Sequence, residues 1–248
     1  MYEYFIFDLY GTLVDIRTNE GKTYLWKKMS EIYSSMGAFY SPMELKKEFR
    51  RLEEAEKERV RQSIGDMPEE EFSVEPDLTS VFSQLFQNKG VECGEQLAKM
   101  AAVTFRTLSR QKLAVYGGVK EALQELRSRG KKVYLLSNAQ KDFTRPELAL
   151  VGLTDCFDGI LISSEEECKK PSKAYFQRLI QRYQLQPEKC LMVGNDEQSD
   201  IKGAIGAGMD SLYIHTDISP ELREESKATY CVLDGDWNKV AEILLRNA

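Results

Sequence analysis

Four short stretches, far apart in the chain, place chemically capable side chains at what read as strand ends: FIFD closes on Asp8, KVYLLSN on Ser137 and Asn138, CKKPSKAYF carries Lys170, and CLMVGNDEQSD carries Asp196 and Asp200. An apolar run that ends on an acid and turns at once, here through Gly11 and Thr12, reads as a buried strand delivering a carboxylate to the carboxyl end of a sheet. If the sheet is parallel, the four ends meet in one crevice. A carboxylate there can attack phosphorus and split one hard displacement into two easier ones. The Ser137 hydroxyl and backbone N–H groups near Asn138 and Gly11 can hold phosphoryl oxygens, because phosphoryl transfer is mostly positioning and charge stabilisation. Asp8, Asp196 and Asp200 would repel one another, and Lys170 neutralises only one. A hard divalent cation with oxygen ligands resolves the excess.

The elements that must position these groups follow from pattern. From Val119 helix and strand alternate: VKEALQELRSRG, KVYLLSN, a helix, FDGILIS, AYFQRLIQRY, CLMVGND, DIKGAIGAGM and SLYIH. Such alternation implies a parallel sheet with crossover helices. The strand at residues 4 to 8 has no early neighbour, so it must join that later sheet. Between them, from about Thr18 to Arg110, the pattern is helical, with a break at Gly65, Pro68 and Pro76; Leu78, Val81, Phe82, Leu85 and Phe86 recur at helical spacing. This block reads as an insertion over the carboxyl edge, able to close on a substrate and exclude water. Its charged run KKEFRRLEEAEKERVRQ mixes both signs at i, i+3 and i+4, the pattern of a solvated helix face. The expected fold is α/β, a Rossmann-like three-layer core of residues 1–16 and 112–248 with an inserted helical cap of residues 17–111.

Composition narrows the function. At 248 residues the chain can bury a full core, and a net charge of −6 disfavours binding to a nucleic-acid backbone. Five scattered cysteines without CxxC spacing suggest neither a disulfide framework nor a zinc site. The N-terminus MYEYFIFD has no charged lead, and no run of about 18 apolar residues occurs, so no membrane partner and a cytoplasmic location are expected. No feature specifies an oligomeric state.

The four motifs, in this order and across nearly the whole chain, resemble those of the haloacid dehalogenase-like hydrolase superfamily with an α-helical cap inserted after the first motif. The resemblance implies that Asp8 is a nucleophile, that Ser137 binds phosphoryl oxygens, that Lys170 steadies the nucleophile, and that Asp196 and Asp200 hold Mg²⁺ together with Asp8 and the backbone carbonyl of Tyr10. It further implies a small phosphorylated substrate and an aspartyl-phosphate intermediate. Gly11, Thr12, Ser137 and Asn138 would form the phosphate cradle.

Three departures from the family pattern stand out. Family phosphatases read Asp-x-Asp in the first motif, the second acid protonating the leaving group and then activating water; here that residue is Tyr10. The fourth motif reads GND, so Asn195 competes with Asp196 for the first acid's place, and the i, i+4 relation favours Asp196 with Asp200. The stretch before Lys170 lacks its usual glycine, leaving Glu167 as an extra ligand or a solvated residue. Tyrosine in this context also resembles the 2-haloacid dehalogenases, which displace halide without a metal. Those carry Ser-Ser-Asn in the fourth motif and a tyrosine six residues after the lysine, where this chain has Phe176. Two mismatches against one match favour phosphate. A protein that keeps the cradle and binds phosphorylated metabolites without turnover is the third alternative.

Overall fold

The protein is described from a computed structural model over residues 1–65, 67–68 and 70–248. Six strands, β1 (Tyr4–Phe7), β5 (Lys132–Ser137), β6 (Gly159–Ile162), β8 (Cys190–Gly194), β9 (Asp210–Ile214) and β10 (Tyr230–Val232), form one sheet in the order β10-β9-β8-β1-β5-β6. Every pairing in it is parallel. Successive side chains alternate between faces, and here both faces are covered. Phe5 and Phe7, Val133 and Leu135, and Leu191 and Val193 pack into one core with α5 (Val119–Ser128) and α10 (Trp237–Arg246). Ile6, Leu136 and Met192 pack into the other with α8 (Lys173–Tyr183) and α9 (Lys202–Gly206). Burial on both sides is why these strands read as unbroken apolar runs.

The central position of β1 matters most. Phe7 lies opposite Leu135 on one side and Val193 on the other. Asp8, the next residue, therefore emerges between the ends of β5 and β8, where the strand order reverses and open α/β sheets form their crevice.

The inserted block contains α1 (Thr23–Ser35), α2 (Pro42–Ile64), α3 (Leu78–Gln87) and α4 (Glu95–Ser109). It has a core of its own around Trp26, Tyr33, Phe49, Phe82 and Phe105, to which Phe143 of α6 (Lys141–Val151) also belongs. The rings of Phe49 and Phe105 stack at 5.3 Å. Helix α2 starts on a capping box between Ser41 and Glu44 and ends at Gly65. Its charged face is largely solvated and laced with ion pairs one turn apart, as the sequence pattern predicts.

Three features were not anticipated. The chain enters and leaves the helical block through a two-stranded antiparallel ribbon, β2 (Val14–Thr18) with β4 (Arg110–Val115), so the expected boundaries at 16/17 and 111/112 fall inside paired strands. A short pair, β3 (Ser73–Val74) with β7 (Cys168–Lys169), joins the insertion to the loop carrying Lys170; the one-turn helix α7 (Ser163–Glu166) precedes it. The core also continues past SLYIH into β10 and α10.

Candidate active site

Asp8, Thr12, Ser137, Lys170, Asn195 and Asp200 are all buried at the carboxyl edge of the sheet. Lys170 is the hub. Its Nζ lies 2.7 Å from Asp8 Oδ1 and 2.7 Å from Asp200 Oδ1, and donates to the Leu136 carbonyl at 2.8 Å. Burial opposes its charge, but the Asp200 and Asp8 carboxylates outweigh that, and its pKa is raised. Asp200 is pushed up to about 7, by burial first and by the neighbouring Asp8 charge, with Lys170 pulling the other way. One ammonium shared by two buried carboxylates leaves the pair under-neutralised.

The loop holding Lys170 is fixed by Asn138. Its Oδ1 accepts the Lys170 N–H at 2.8 Å, and its Nδ2 donates to the Lys170 carbonyl at 3.0 Å. The Asn138 side chain thus positions the lysine and is not free for phosphate. Ser137 differs: it is fully buried and its Oγ has no hydrogen-bond partner among the described residues. A buried hydroxyl left unpaired is costly and calls for an explanation. Its backbone carbonyl, by contrast, accepts from the Tyr175 hydroxyl at 3.0 Å.

The turn after Asp8 is tight. The Gly11 N–H donates to the Val14 carbonyl at 2.8 Å, so it is not a free phosphate donor as the sequence suggested. Gly11 has φ +87°, and a side chain there would overlap the Asn195 carboxamide; glycine is required for close approach as well as for the turn. Thr12 Oγ1 lies 3.1 Å from Asp8 Oδ2 and 3.3 Å from Asn195 Oδ1.

The fourth motif is arranged differently from the expectation. Asp196 does not join Asp8 and Asp200: its Oδ1 accepts the Gln198 N–H at 2.8 Å and caps the π-helical turn Glu197–Ile201. Asn195 faces the site instead. Asp200 Oδ2 accepts the N–H groups of Asn195 at 3.1 Å and Asp196 at 3.0 Å, fixing that turn against the end of β8. Among the described residues, no three His, Cys, Asp or Glu side chains are grouped to hold a metal. Glu167 is half-buried and pairs with Arg59 at 2.5 Å, away from this cluster.

The Tyr10 hydroxyl turns away from Asp8. It donates to Glu147 Oε2 at 2.5 Å, and lies 3.2 Å from Thr144 Oγ1. Burial first, then the Glu147 charge, raise its pKa, with Arg106 partly offsetting them. Glu147 is itself buried between Arg106, 2.8 Å away, and Arg110, 3.0 Å away. No sequence motif links these residues, which meet only because α4 and β4 pass over α6. Asp15 is buried and ion-paired with Lys112 on the β2–β4 ribbon.

A cleft of about 400 Å³ opens between the core and the insertion, with Tyr10 and Asn138 on its core side and Glu53, Lys57 and Arg106 on the inserted helices. A larger cavity of about 860 Å³ lies beyond Asp196 and contains neither Asp8 nor Lys170. Asp8 and Lys170 do not line the smaller cleft either, but Tyr10, Asn138 and Lys169 do, so it adjoins the chain segments that carry Asp8, Ser137 and Lys170.

Known proteins extend this picture. The chain is 31% identical over 151 residues to a phosphoserine phosphatase of Thermus thermophilus, covering 61% of this chain and 59% of that protein. It is 26% identical over 151 residues to a glyceraldehyde 3-phosphate phosphatase of Methanothermobacter thermautotrophicus, covering 60% and 66%. The matches thus span between about three fifths and two thirds of these relatives' length. A 2-haloacid dehalogenase from Pseudomonas syringae pv. Tomato DC3000 shares the fold, with a TM-score of 0.67 over all of both chains at 19% identity. A model of the haloacid dehalogenase-like hydrolase family matches residues 2–208, a span that takes in all four motifs from Asp8 to Asp200. With fold, motif order and family pattern coinciding over that span, the chain belongs to the haloacid dehalogenase-like hydrolases.

Proposed function

We propose that the protein hydrolyses small phosphorylated molecules through an aspartyl-phosphate on Asp8, and that it favours substrates whose leaving group departs without a proton. The unpartnered, fully buried Ser137 hydroxyl carries this reading: beside an Asp–Lys pair, a phosphoryl oxygen is the acceptor it lacks. Lys170 holds Asp8 Oδ1, leaving Oδ2, beside the Thr12 hydroxyl, as the attacking atom. Attack forms the Oδ2–P bond and breaks the P–O bond of the ester, whose oxygen keeps the electron pair. Water then attacks phosphorus and releases phosphate and the Asp8 carboxylate. Phosphatase relatives support the substrate class.

Mg²⁺ fits the donors present. Asp8 Oδ2 and Asn195 Oδ1 both approach one Thr12 hydroxyl, whose single proton serves one of them at a time, and Asp200 adds a second carboxylate. Mg²⁺ is commonly held by one or two carboxylates, with water and substrate phosphate completing its shell. Asp8, Asn195, Asp200 and the Tyr10 carbonyl would hold it, with Asn195 in the place first expected of Asp196. When bound, the ion neutralises charge on the phosphoryl oxygens.

The leaving-group preference follows from Tyr10. Its proton is committed to Glu147, and its raised pKa makes it a poor base for water. General acid–base help is worth about 10²–10⁴ in rate, and its loss falls hardest on alkoxides. The test is a panel of p-nitrophenyl phosphate, acetyl phosphate, alkyl phosphates and 2-chloropropionate, run with Mg²⁺ and with chelator. Hydrolysis of the first two should exceed that of alkyl phosphates by roughly 10²-fold and should stop in chelator. Full turnover of 2-chloropropionate in chelator would overturn the proposal in favour of a dehalogenase. In Tyr10→Asp, alkyl phosphate hydrolysis should rise by about tenfold or more; equal alkyl and aryl rates in wild type, with no gain in the variant, would place the proton donor elsewhere.

A further inference from the structure

Two charges in the cleft keep an open side. Arg106 is held as a rigid fork: its Nε and Nη2 donate to Glu147 at 2.8 and 3.2 Å, and its guanidinium lies 5.4 Å from the ring centres of both Tyr10 and Phe143. Among the described residues, Nη1 has no hydrogen-bond acceptor. Glu20 lines the same cleft, and among the described residues its carboxylate has no ion-pair or hydrogen-bond partner. The other cleft charges are matched: Lys57 with Glu53 at 3.2 Å, and Lys169 with Glu75 at 3.8 Å.

Glu20 is exposed by surface area, yet protein crowding on its cleft side raises its pKa, Arg106 opposing and Glu53 adding to the rise. It feels Arg106 but forms no bond with it. A fixed guanidinium edge prefers a planar carboxylate. An unpaired carboxylate prefers an ammonium.

We infer that this cleft recognises a phosphorylated compound, acyl or aryl phosphates included, that also carries an α-amino-acid group, its carboxylate on the open edge of Arg106 and its ammonium at Glu20. The inference rests on the phosphatase reading for its phosphate, but the recognition can be measured apart from turnover. Glu147 acts as a positioning residue, since it aims Arg106 without touching the substrate. Tyr10, which supplies no proton, supports the guanidinium through its ring and through the hydroxyl bound to Glu147.

Four primary alkyl phosphates, used as binding probes because their alkoxides are the leaving groups that Tyr10 disfavours, isolate the two groups: O-phospho-L-serine has both, 3-phosphoglycerate lacks the ammonium, phosphoethanolamine lacks the carboxylate, and ethyl phosphate lacks both. Each is measured as an inhibitor of p-nitrophenyl phosphate hydrolysis by wild type, and by calorimetric titration into the Asp8→Asn protein. Phosphoserine should bind about tenfold or more tighter than either singly deleted analogue, the size expected for one charge-assisted hydrogen bond. Glu20→Gln should close the gap between phosphoserine and 3-phosphoglycerate. Arg106→Met should close the gap between phosphoserine and phosphoethanolamine. Because Arg106 also neutralises buried Glu147, the exposed Glu20 variant is the cleaner arm. Affinities within about threefold of one another for all four compounds would overturn the inference. If calorimetry gives the predicted ranking while wild type turns over no phosphate ester, the recognition stands and the proposed reaction fails.

Discussion

Replacing Asp8 with Asn is expected to lower turnover of p-nitrophenyl phosphate by on the order of 10⁴-fold or more, because removing a covalent nucleophile removes the pathway and not merely an interaction. The carboxamide has the shape of the carboxylate but is a far poorer nucleophile, and the Thr12 hydroxyl can still bond to it. The thermal midpoint should therefore move little compared with the loss of rate. Borohydride reduction of wild type quenched during turnover should convert phosphorylated Asp8 to homoserine, detectable by peptide mass. An Asp8→Asn protein that retains a tenth of wild-type activity, or an active enzyme in which Asp8 is never reduced, would rule out the covalent route.

The second large effect is on stability. Lys170→Met should destabilise the fold by about 3 kcal/mol, because it leaves two buried carboxylates facing each other without their shared cation. For a chain of this size that corresponds to a fall of roughly 6–12 °C in Tm. The raised pKa of Asp200 limits the loss, since that carboxyl can take up a proton and so remove one of the two facing charges. The double variant Lys170→Met/Asp200→Asn should accordingly recover part of the stability while remaining inactive. Denaturation of the two proteins side by side decides the matter. A single variant that melts within 2 °C of wild type, which for this size means less than about 1 kcal/mol, would show that Lys170 does not neutralise the pair.

The sequence was most informative where one rule governs one residue. Asp8 and Ser137 could be placed together because apolar strands in a parallel sheet end on a common edge, whereas Lys170 reaches that edge on the loop after α7 and the antiparallel pair of β7 with β3. The fourth motif was less legible. Spacing of i, i+4 pairs Asp196 with Asp200 only if a regular α-helix begins there, but the chain makes a wider π-helical turn and aligns Asn195 with the site. A signal did exist: an aspartate just before a helix is a favoured cap, and capping is what Asp196 does. Gly11 likewise read as a phosphate donor, when its N–H closes the turn that its positive φ permits. The contact of Tyr10 with Glu147 and Arg106 could not have been read at all, since it depends on how the inserted helices lie over α6. By contrast α10 was within reach, with Trp237, Val240 and Leu244 at helical spacing after Asp236.

The central position of β1 also sets a timetable for synthesis. Tyr4 to Phe7 leave the ribosome long before their partners on β8, which begin at Cys190; at 5–20 residues per second that strand follows roughly ten to forty seconds later. Until Lys132 and the rest of β5 follow, the nascent chain carries an apolar strand with both edges unpaired, and until β8 follows one edge stays open, a template for mispairing. The helical insertion, built from contacts close in sequence, can consolidate during the wait, whereas the nucleophile's own strand is among the last to be enclosed.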